Sequence, residues 1–484
     1  MSGDQLKILS VADSMIAPAT DAELIKPSTT RCLPPVVGPI VLRALDLLMP
    51  PINLRMPMMF KIALASSSAM REEFDKIVVK LKASLAEALE LHPPVAGTIH
   101  TSPGDASVIT IVCDGRGATF MTQVESRSYV ESEHTLDGLS GTDLFGFDAS
   151  KTIFGVKLTL FSCGTIAMIT SMHHHAADLS SYMDFLDIWA RLSRDDSKHL
   201  VLPESWSRDL NLTTPVAIPS TMPGILILPP SLGPLPMPAL RMFDGLRWFI
   251  RDESLAQLKV DCLAYPISED SWISSADAFT ALVWGAMTRA RHNIPTKTAL
   301  FANNHAELES LGVAADGRER LGLGPSSTGS PTRFFGNLNL SLAVYTSRAD
   351  LLEATLEATS RVARAIRKTI QDETTLEAIA SRVAFIEAQV ERMRPHTIDR
   401  IVLEGDCRST NWSKYDMTEF DFGLGPSVKS VETTLGTVST YPAGMFLIVQ
   451  GKGGLVVATT VEKEADVLLR VDPLLSRYAE LLSD

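Results

Sequence analysis

The chain carries Ser-Met-His-His-His-Ala-Ala-Asp at residues 171–178, and the segments on either side of this stretch decide the fold. Val156, Leu158 and Leu160 alternate with polar residues, which is the period of a half-buried strand. Residues 165–172 are predicted to form the returning strand. From Leu179 to Trp189 apolar residues recur at helical spacing. The histidines therefore lie where a strand ends and a helix begins.

His174 and Asp178 stand four residues apart at this junction. Histidine is the side chain best suited to accept a proton near pH 7, and a strand-to-helix junction holds it on rigid backbone. The hypothesis is proton abstraction by His174 with a carboxylate nearby. The alternative is a buried histidine followed by a helix-capping aspartate, because Asp178 stands where an N-cap belongs.

A metal site is a second alternative for the three histidines. Consecutive strand residues point to opposite faces, so His173, His174 and His175 are not expected to reach one ion. The sequence contains no HExxH pair, no Gly-x-Ser-x-Gly elbow, no Gly-x-Gly-x-x-Gly run and no Walker loop. These absences disfavour zinc hydrolysis, serine hydrolysis and nucleotide cofactors, and no bound metal is predicted.

Composition restricts the class of protein. The chain has 484 residues, 45% of them hydrophobic and 21% charged, which is typical of a folded protein with two large domains. A formal net charge of −13 argues against nucleic-acid or anionic-membrane partners. Five scattered cysteines favour free thiols over a disulfide framework. No signal-peptide core or membrane-spanning apolar run is visible, so a cytoplasmic protein is predicted.

A proline-rich stretch divides the chain. Residues 203–238 contain nine prolines and few charges, which predicts a stiff, extended crossover. We therefore expect an N-terminal domain at 1–202, a crossover segment at 203–240 and a C-terminal domain at 241–484. Helical and strand-like patterns are intermixed on both sides, which favours an α/β or α+β fold.

Four further stretches appear in a fixed order around the histidines and resemble signatures of the BAHD acyltransferases, in particular the fungal branch similar to trichothecene 3-O-acetyltransferases. Asp421-Phe-Gly-Leu-Gly425 resembles the family's DFGWG motif, and the other three match its helix ends and loops. These three are Leu81–Leu85 with Pro93–Gly97, Ser274–Ala278 with Trp284 and Thr288–Arg291, and Asp316–Arg318 with Phe334–Asn337.

The resemblance implies two chloramphenicol-acetyltransferase-like domains, with mixed sheets flanked by helices and an active-site channel between them. In that channel, an acyl group, most simply acetyl, would move from acyl-CoA to a hydroxyl or amine of a small, largely apolar secondary metabolite. His174 would act as the general base. The resemblance implies no covalent intermediate, no permanently bound cofactor and a monomer.

The resemblance also assigns supporting roles. Asp178 is expected to turn away from the histidine and pair with an arginine, for which Arg289 and Arg291 are the candidates. Three residues are expected to form a structural loop, and three more to face the channel. The loop residues are Asp421, Gly423 and Gly425, and the channel residues are Thr410, Asn411 and Trp412.

The chain departs from the family pattern at three positions. Leu179 replaces the glycine that usually follows the aspartate, Leu424 replaces the tryptophan of DFGWG, and Thr98 replaces an arginine. The Leu179 side chain would narrow the channel, and it is the one reason to keep open a cyclisation-type relative that uses the same channel without transfer from CoA. A condensation-type relative, which shares the fold and the histidine motif, and a non-catalytic binding protein also stay open.

Overall fold

The strand and the helix expected around the histidines are both present in a computed structural model of the chain. Thr165–His173 forms the strand and Leu179–Ser193 the helix. The structure describes residues 21–31, 36, 38–102, 105–129, 152–198, 200–210, 212, 216–228, 245–265, 272–294, 307–324, 333–392, 401–431 and 443–482. Residues 1–20 and 130–151 and large parts of the crossover segment lie outside these ranges.

Helices and strands are intermixed along the described chain. The helices are α1 (Ala44–Leu48), α2 (Ser67–Leu91), α3 (Leu179–Ser193), α4 (Asp252–Leu263), α5 (Ser275–Arg291), α6 (Arg318–Leu321), α7 (Arg348–Leu352), α8 (Leu356–Glu373), α9 (Leu376–Arg392), α10 (Lys463–Arg470) and α11 (Leu475–Tyr478). The strands are β1 (Asp21–Ile25), β2 (Ile40–Val41), β3 (Asn53–Ile62), β4 (Thr98–Ser102), β5 (Asp105–Val112), β6 (Ala118–Glu125), β7 (Phe154–Phe161), β8 (Thr165–His173), β9 (Ile225–Ile227), β10 (Gly245–Arg251), β11 (Leu308–Val313), β12 (Leu342–Ser347), β13 (Ile401–Leu403), β14 (Cys407–Asn411), β15 (Val428–Val431), β16 (Met445–Gly451), β17 (Gly454–Thr460) and β18 (Glu480–Leu481).

The first large sheet carries the histidines. Its strand order is β1-β6-β7-β8-β3-β15, with β6 and β7 parallel and the other pairs antiparallel. Apolar residues of α2 and α3, such as Leu81 and Trp189, bury one face of this sheet in the first core. Strand β15 comes from the C-terminal part of the chain, so this sheet draws on both parts.

The second large sheet has the order β12-β11-β14-β16-β17-β10-β18. Strand β14 is parallel to both of its neighbours, while the outer pairs are antiparallel. Helix α5 packs against this sheet through Phe279, Val283 and Trp284 and forms the centre of a second core with α4, α8 and α10. Buried faces on both helices and strands therefore produce two cores.

Mixed sheets flanked by helices confirm the predicted α/β class. The stretch 303–332, which has little periodic pattern, nevertheless contains β11 and the short helix α6 within its described part. Pairing of β11 with β12 and β14 stabilises this strand, and a sequence pattern does not contain that information. No helix in the described ranges is long and apolar enough to cross a membrane. The boundaries at 202 and 240 remain a prediction.

Candidate active site

The His loop, residues 174–178, connects β8 to α3. At the end of β8, His173 is paired with Asn53 of β3. The His174 N–H donates to the Ile52 carbonyl at 2.8 Å, and the His174 carbonyl accepts from Asn337 Nδ2 at 2.8 Å. Both backbone groups of His174 are therefore occupied, which fixes the direction of its side chain.

The His174 ring is half-buried, and its Nδ1 is shielded from solvent with no hydrogen-bond partner among the described residues. Burial lowers the pKa of His174, while the Asp178 charge and the Asn337 side chain act in the opposite direction. With its pKa below the usual value of about 6.5, the ring is neutral at pH 7.

The flanking histidines have structural contacts. The His175 ring nitrogen Nε2 lies 2.9 Å from the Met49 carbonyl, and the His175 N–H donates to His173 Nδ1 at 3.2 Å. Burial lowers the pKa of His173 to about 4. Across the described ranges, no group of three or more His, Cys, Asp or Glu side chains is arranged to hold a metal ion.

Asp178 is the N-cap of α3, and its side chain accepts four hydrogen bonds. Oδ1 accepts from the Ser181 N–H at 3.1 Å and from Arg318 Nη2 at 2.8 Å. Oδ2 accepts from Arg318 Nη1 and from the Leu338 N–H, both at 2.8 Å. With every lone-pair direction in use, this buried carboxylate is not a proton carrier for His174; it holds the His loop against Arg318 and residue 338.

The expected arginine partner was wrong: Arg318 pairs with Asp178, and neither Arg289 nor Arg291 does. Arg289 binds Asp472 at 2.7 Å, and Arg291 binds Glu462 at 2.7 Å. Both arginines lie in the last turn of α5, as the helix dipole favours, but α5 belongs to the second core. Their carboxylate partners come from the C-terminal end of the chain, away from the His loop.

The Asn337 loop, residues 333–341, is also hydrogen-bonded to the His loop. Asn337 Nδ2 donates to the carbonyls of His174 and His175, and the same side chain and its backbone N–H donate to Asp46 Oδ1 at 3.0 and 3.1 Å. The Asp178 N–H donates to the Gly336 carbonyl at 3.3 Å. Two segments distant in sequence therefore hold His174 jointly.

The DFGLG loop, residues 421–425, attaches β15 to the helices of the first core. Gly423 adopts a φ of +59°, and its carbonyl accepts a hydrogen bond from Lys80 of α2. Gly425 has a φ of +108°. The Asp421 side chain is exposed and accepts from the Gly423 N–H at 2.7 Å. Among the described residues, no hydrogen bond, ion pair or ring contact joins this loop to His174.

The three predicted channel residues differ in position. Trp412 is buried in the first core, and its Nε1 donates to Thr410 Oγ1 at 3.0 Å. Asn411 is exposed and its side chain accepts from the Ser413 N–H at 2.9 Å. Contact of these residues with a substrate remains a prediction.

Four residues around the His loop had no role in the sequence reasoning. Asn337 and Arg318 belong to the motif stretches quoted above, but the motifs did not indicate which groups these two side chains contact. Asp46 is a lone carboxylate in the apolar run 44–49, which is a detectable signal of a buried polar contact. Arg208, in the crossover segment, carries no signal beyond its charge.

Comparison with known proteins gives the family. The model of the Transferase family matches residues 19–465. Acyltransferase uat1 of Mycosarcoma maydis is 27% identical over 219 residues, 40% of each chain. Spermidine hydroxycinnamoyltransferase 1 of Oryza sativa subsp. japonica is 27% identical over 138 residues, 27% of this chain and 30% of that protein. The chain thus spans less than half the length of these curated relatives.

Two solved structures share the fold. F. graminearum TRI101 complexed with coenzyme A and deoxynivalenol superposes with a TM-score of 0.69 at 14% identity, over 92% of this chain and 100% of that one. Vinorine synthase superposes with a TM-score of 0.61 at 18% identity, over 96% and 99% of the two chains. The family match over most of the chain confirms the resemblance that the motifs carry: the protein belongs to the Transferase family, that of the BAHD acyltransferases.

Proposed function

We propose that the protein is an acyl-CoA-dependent acyltransferase in which His174 acts as general base. The observation that carries the proposal is a neutral histidine held at both its backbone N–H and its carbonyl, with Nδ1 enclosed. Nε2 is the ring nitrogen that we propose to meet the substrate. General-base catalysis of this kind contributes about 10²–10⁴ in rate. Family membership supports the choice of acyl transfer among the reactions that such a base serves.

The proposed reaction balances without a covalent enzyme intermediate. The acceptor O–H or N–H gives its proton to His174 Nε2 while the acceptor oxygen or nitrogen attacks the thioester carbonyl carbon. The resulting tetrahedral species then breaks its C–S bond, and His174 returns the proton to the thiolate. The products are the ester or amide and free coenzyme A. Asp178 and Arg318 hold the His loop in place and exchange no proton.

For the substrates, we propose acetyl-CoA as donor and a small, largely apolar secondary metabolite as acceptor, in a channel between residues 1–202 and 241–484. Coenzyme A in the TRI101 complexes supports the donor class, since that protein has the same fold. Relatives include hydroxycinnamoyltransferases of spermidine and putrescine, which supports amine acceptors beside alcohols. Thr410, Asn411 and Trp412 are proposed to line the channel, and the enzyme is proposed to act as a cytoplasmic monomer.

The test is release of free thiol from acetyl-CoA and longer acyl-CoAs with a panel of alcohols and amines. We expect acceptor-dependent release, reduced about 10²–10⁴-fold in His174→Ala. His100→Ala, at an exposed strand position, is the matched control and should keep the wild-type rate.

Three outcomes distinguish the alternatives. If no acyl-CoA is bound or turned over by folded wild-type protein, the transferase proposal is wrong. Conversion of an acceptor without thiol release would favour the cyclisation-type relative, and ligand binding with no chemical change would favour a binding protein.

A further inference from the structure

Arg208 is a buried cation in the crossover segment. Its neighbours Ser207 and Asp209 are exposed, whereas Arg208 is only 4% exposed. Burying a guanidinium is costly unless hydrogen bonds and a counter-charge compensate it. The contacts that offset the cost of burying the Arg208 guanidinium therefore indicate why this side chain is directed into the interior.

The guanidinium of Arg208 joins two loops that each contact His174. Nη2 donates to the Ala176 carbonyl of the His loop at 2.8 Å, and Nη1 donates to the Phe335 carbonyl of the Asn337 loop. The guanidinium also lies over the Phe335 ring, 5.8 Å from its centre. One side chain from a third segment thus fixes the separation of the two loops.

Asp46 supplies the counter-charge and extends the contact to His174. Its Oδ1 lies 3.9 Å from Arg208 Nη1 and accepts both Asn337 donors, the backbone N–H at 3.1 Å and Nδ2 at 3.0 Å. Asn337 Nδ2 in turn donates to the His174 carbonyl. A continuous set of hydrogen bonds and one ion pair therefore runs from the crossover segment to the backbone of His174.

Gly336 makes room for this arrangement. A Cβ built on Gly336 would lie 1.7 Å from Arg208 Nη1, which is an impossible separation. A residue without a side chain is thus required between Phe335 and Asn337 for the guanidinium to reach both carbonyls.

We propose that Arg208 is a positioning residue for His174, acting through Asp46 and the Ala176 and Phe335 carbonyls; this inference rests on the proposed function. Asp178 and Arg318 hold the end of the His loop to the Gly336 and Leu338 backbone, and Arg208 and Asp46 hold it through the Ala176 carbonyl and Asn337. The planar fork of arginine satisfies two carbonyls at once, which a lysine ammonium on a flexible stem does not reproduce. The crossover segment is then a part of the catalytic machinery as well as a connection.

The first experiment removes the guanidinium and adds it back. In Arg208→Ala we expect kcat to fall about 10²-fold, as displacements near 1 Å cause, with smaller changes in KM. Millimolar guanidinium should restore kcat in a saturable manner, and equimolar urea should not. A merely structural role predicts no rescue, because guanidinium weakens folded proteins in general.

Arg291→Ala is the matched control. Arg291 is 1% exposed, pairs with Glu462 at 2.7 Å and donates to the Asp406 carbonyl at 2.9 Å beside the second core, and among the described residues no hydrogen bond or ion pair joins it to either loop of the site. It should lose stability without a rescuable loss of kcat. If Arg208→Ala behaves like Arg291→Ala, the inference is wrong. Should Arg208→Ala fail to fold, Arg208→Lys is compared with Arg291→Lys, and equal kcat values per folded molecule would overturn it.

A second measurement does not depend on turnover. The rate at which diethyl pyrocarbonate modifies His174, followed by mass spectrometry across pH, reports the pKa of that ring in the free protein. We expect the pKa to rise toward about 6.5 in Arg208→Ala, because a loosened loop admits water. An unchanged profile contradicts the inference. A changed profile in a protein that turns over no acyl-CoA would retain the inference and reject the proposed function.

Discussion

The two signature motifs of the chain each contain an aspartate, and the two aspartates have different surroundings. Asp178 in the His loop is 5% exposed and accepts four hydrogen bonds, two of them from Arg318. Asp421 in the DFGLG loop is exposed, accepts from its own loop at Gly423, and lies 4.0 Å from Arg194. The interaction between two charges is strongest where water is excluded. Membership of a motif therefore does not by itself show how much a residue contributes to stability or to the site.

The largest effect is expected from breaking the buried pair at the His loop. Arg318→Met leaves the Asp178 carboxylate buried without its counter-charge, which costs about 3–5 kcal/mol of the free energy of unfolding. We also expect kcat of the folded fraction to fall about 10²-fold, since the His loop loses its anchor. Urea unfolding and thiol release measure the two effects.

Arg291→Met is the control for this prediction. It breaks an equally buried pair with Glu462 in the second core, where no contact to the His loop exists among the described residues. A comparable loss of stability with an unchanged kcat per folded molecule is expected. Equal losses of kcat in both variants would contradict the assignment of Arg318 to the site.

Truncation of the Phe422 side chain in the DFGLG loop should lower the stability of the fold and leave catalysis unchanged. Phe422 is buried in the first core, edge-on to Trp189 at 5.0 Å and to Phe60 at 6.4 Å between ring centres. Phe422→Ala should lower the free energy of unfolding by about 3–5 kcal/mol. The pH dependence of kcat should stay as in the wild type, because the loop does not contact His174. A shifted pH profile would show that the two motif loops are coupled.

Acid should weaken the region of the His loop more than the DFGLG loop. Burial lowers the pKa of His173 to about 4, whereas an unfolded histidine titrates near 6.5. The unfolded state therefore binds more protons between these values, and stability falls as the pH drops from about 6.5 to 4, by up to about 1.4 kcal/mol per unit for each such group. Urea unfolding at pH 7 and pH 5 measures this slope.

His173→Gln should flatten that pH dependence, since glutamine does not titrate. In the wild type at pH 5, backbone hydrogen exchange should be faster around residues 173–178 than around residues 421–425. Identical slopes in the wild type and the variant would mean that His173 is not a source of the acid sensitivity.

The smallest effect is expected at Asp421. Asp421→Asn retains an oxygen that accepts from the Gly423 N–H and removes only an exposed charge. The cost should stay below about 1 kcal/mol, and kcat should not change. A loss as large as that of Arg318→Met would overturn the contrast between the two loops.

The sequence by itself determined the local structure of the site. Apolar patterns on either side of residues 171–178 predicted β8 and α3, and Asp178 was expected at the N-cap position that it occupies. The motifs gave the family. Local patterns are reliable here because alternation and helical spacing depend only on neighbouring residues.

Only the tertiary structure decided which distant groups meet the His loop. The sequence offered Arg289 and Arg291 as partners of Asp178, while the fold brought Arg318, Asn337 and the Asp46–Arg208 pair to it. Every arginine carries the same charge and the same donors, so a sequence does not distinguish them as partners. The choice depends on which faces pack together across the chain, and the two cores separated the α5 arginines from the site.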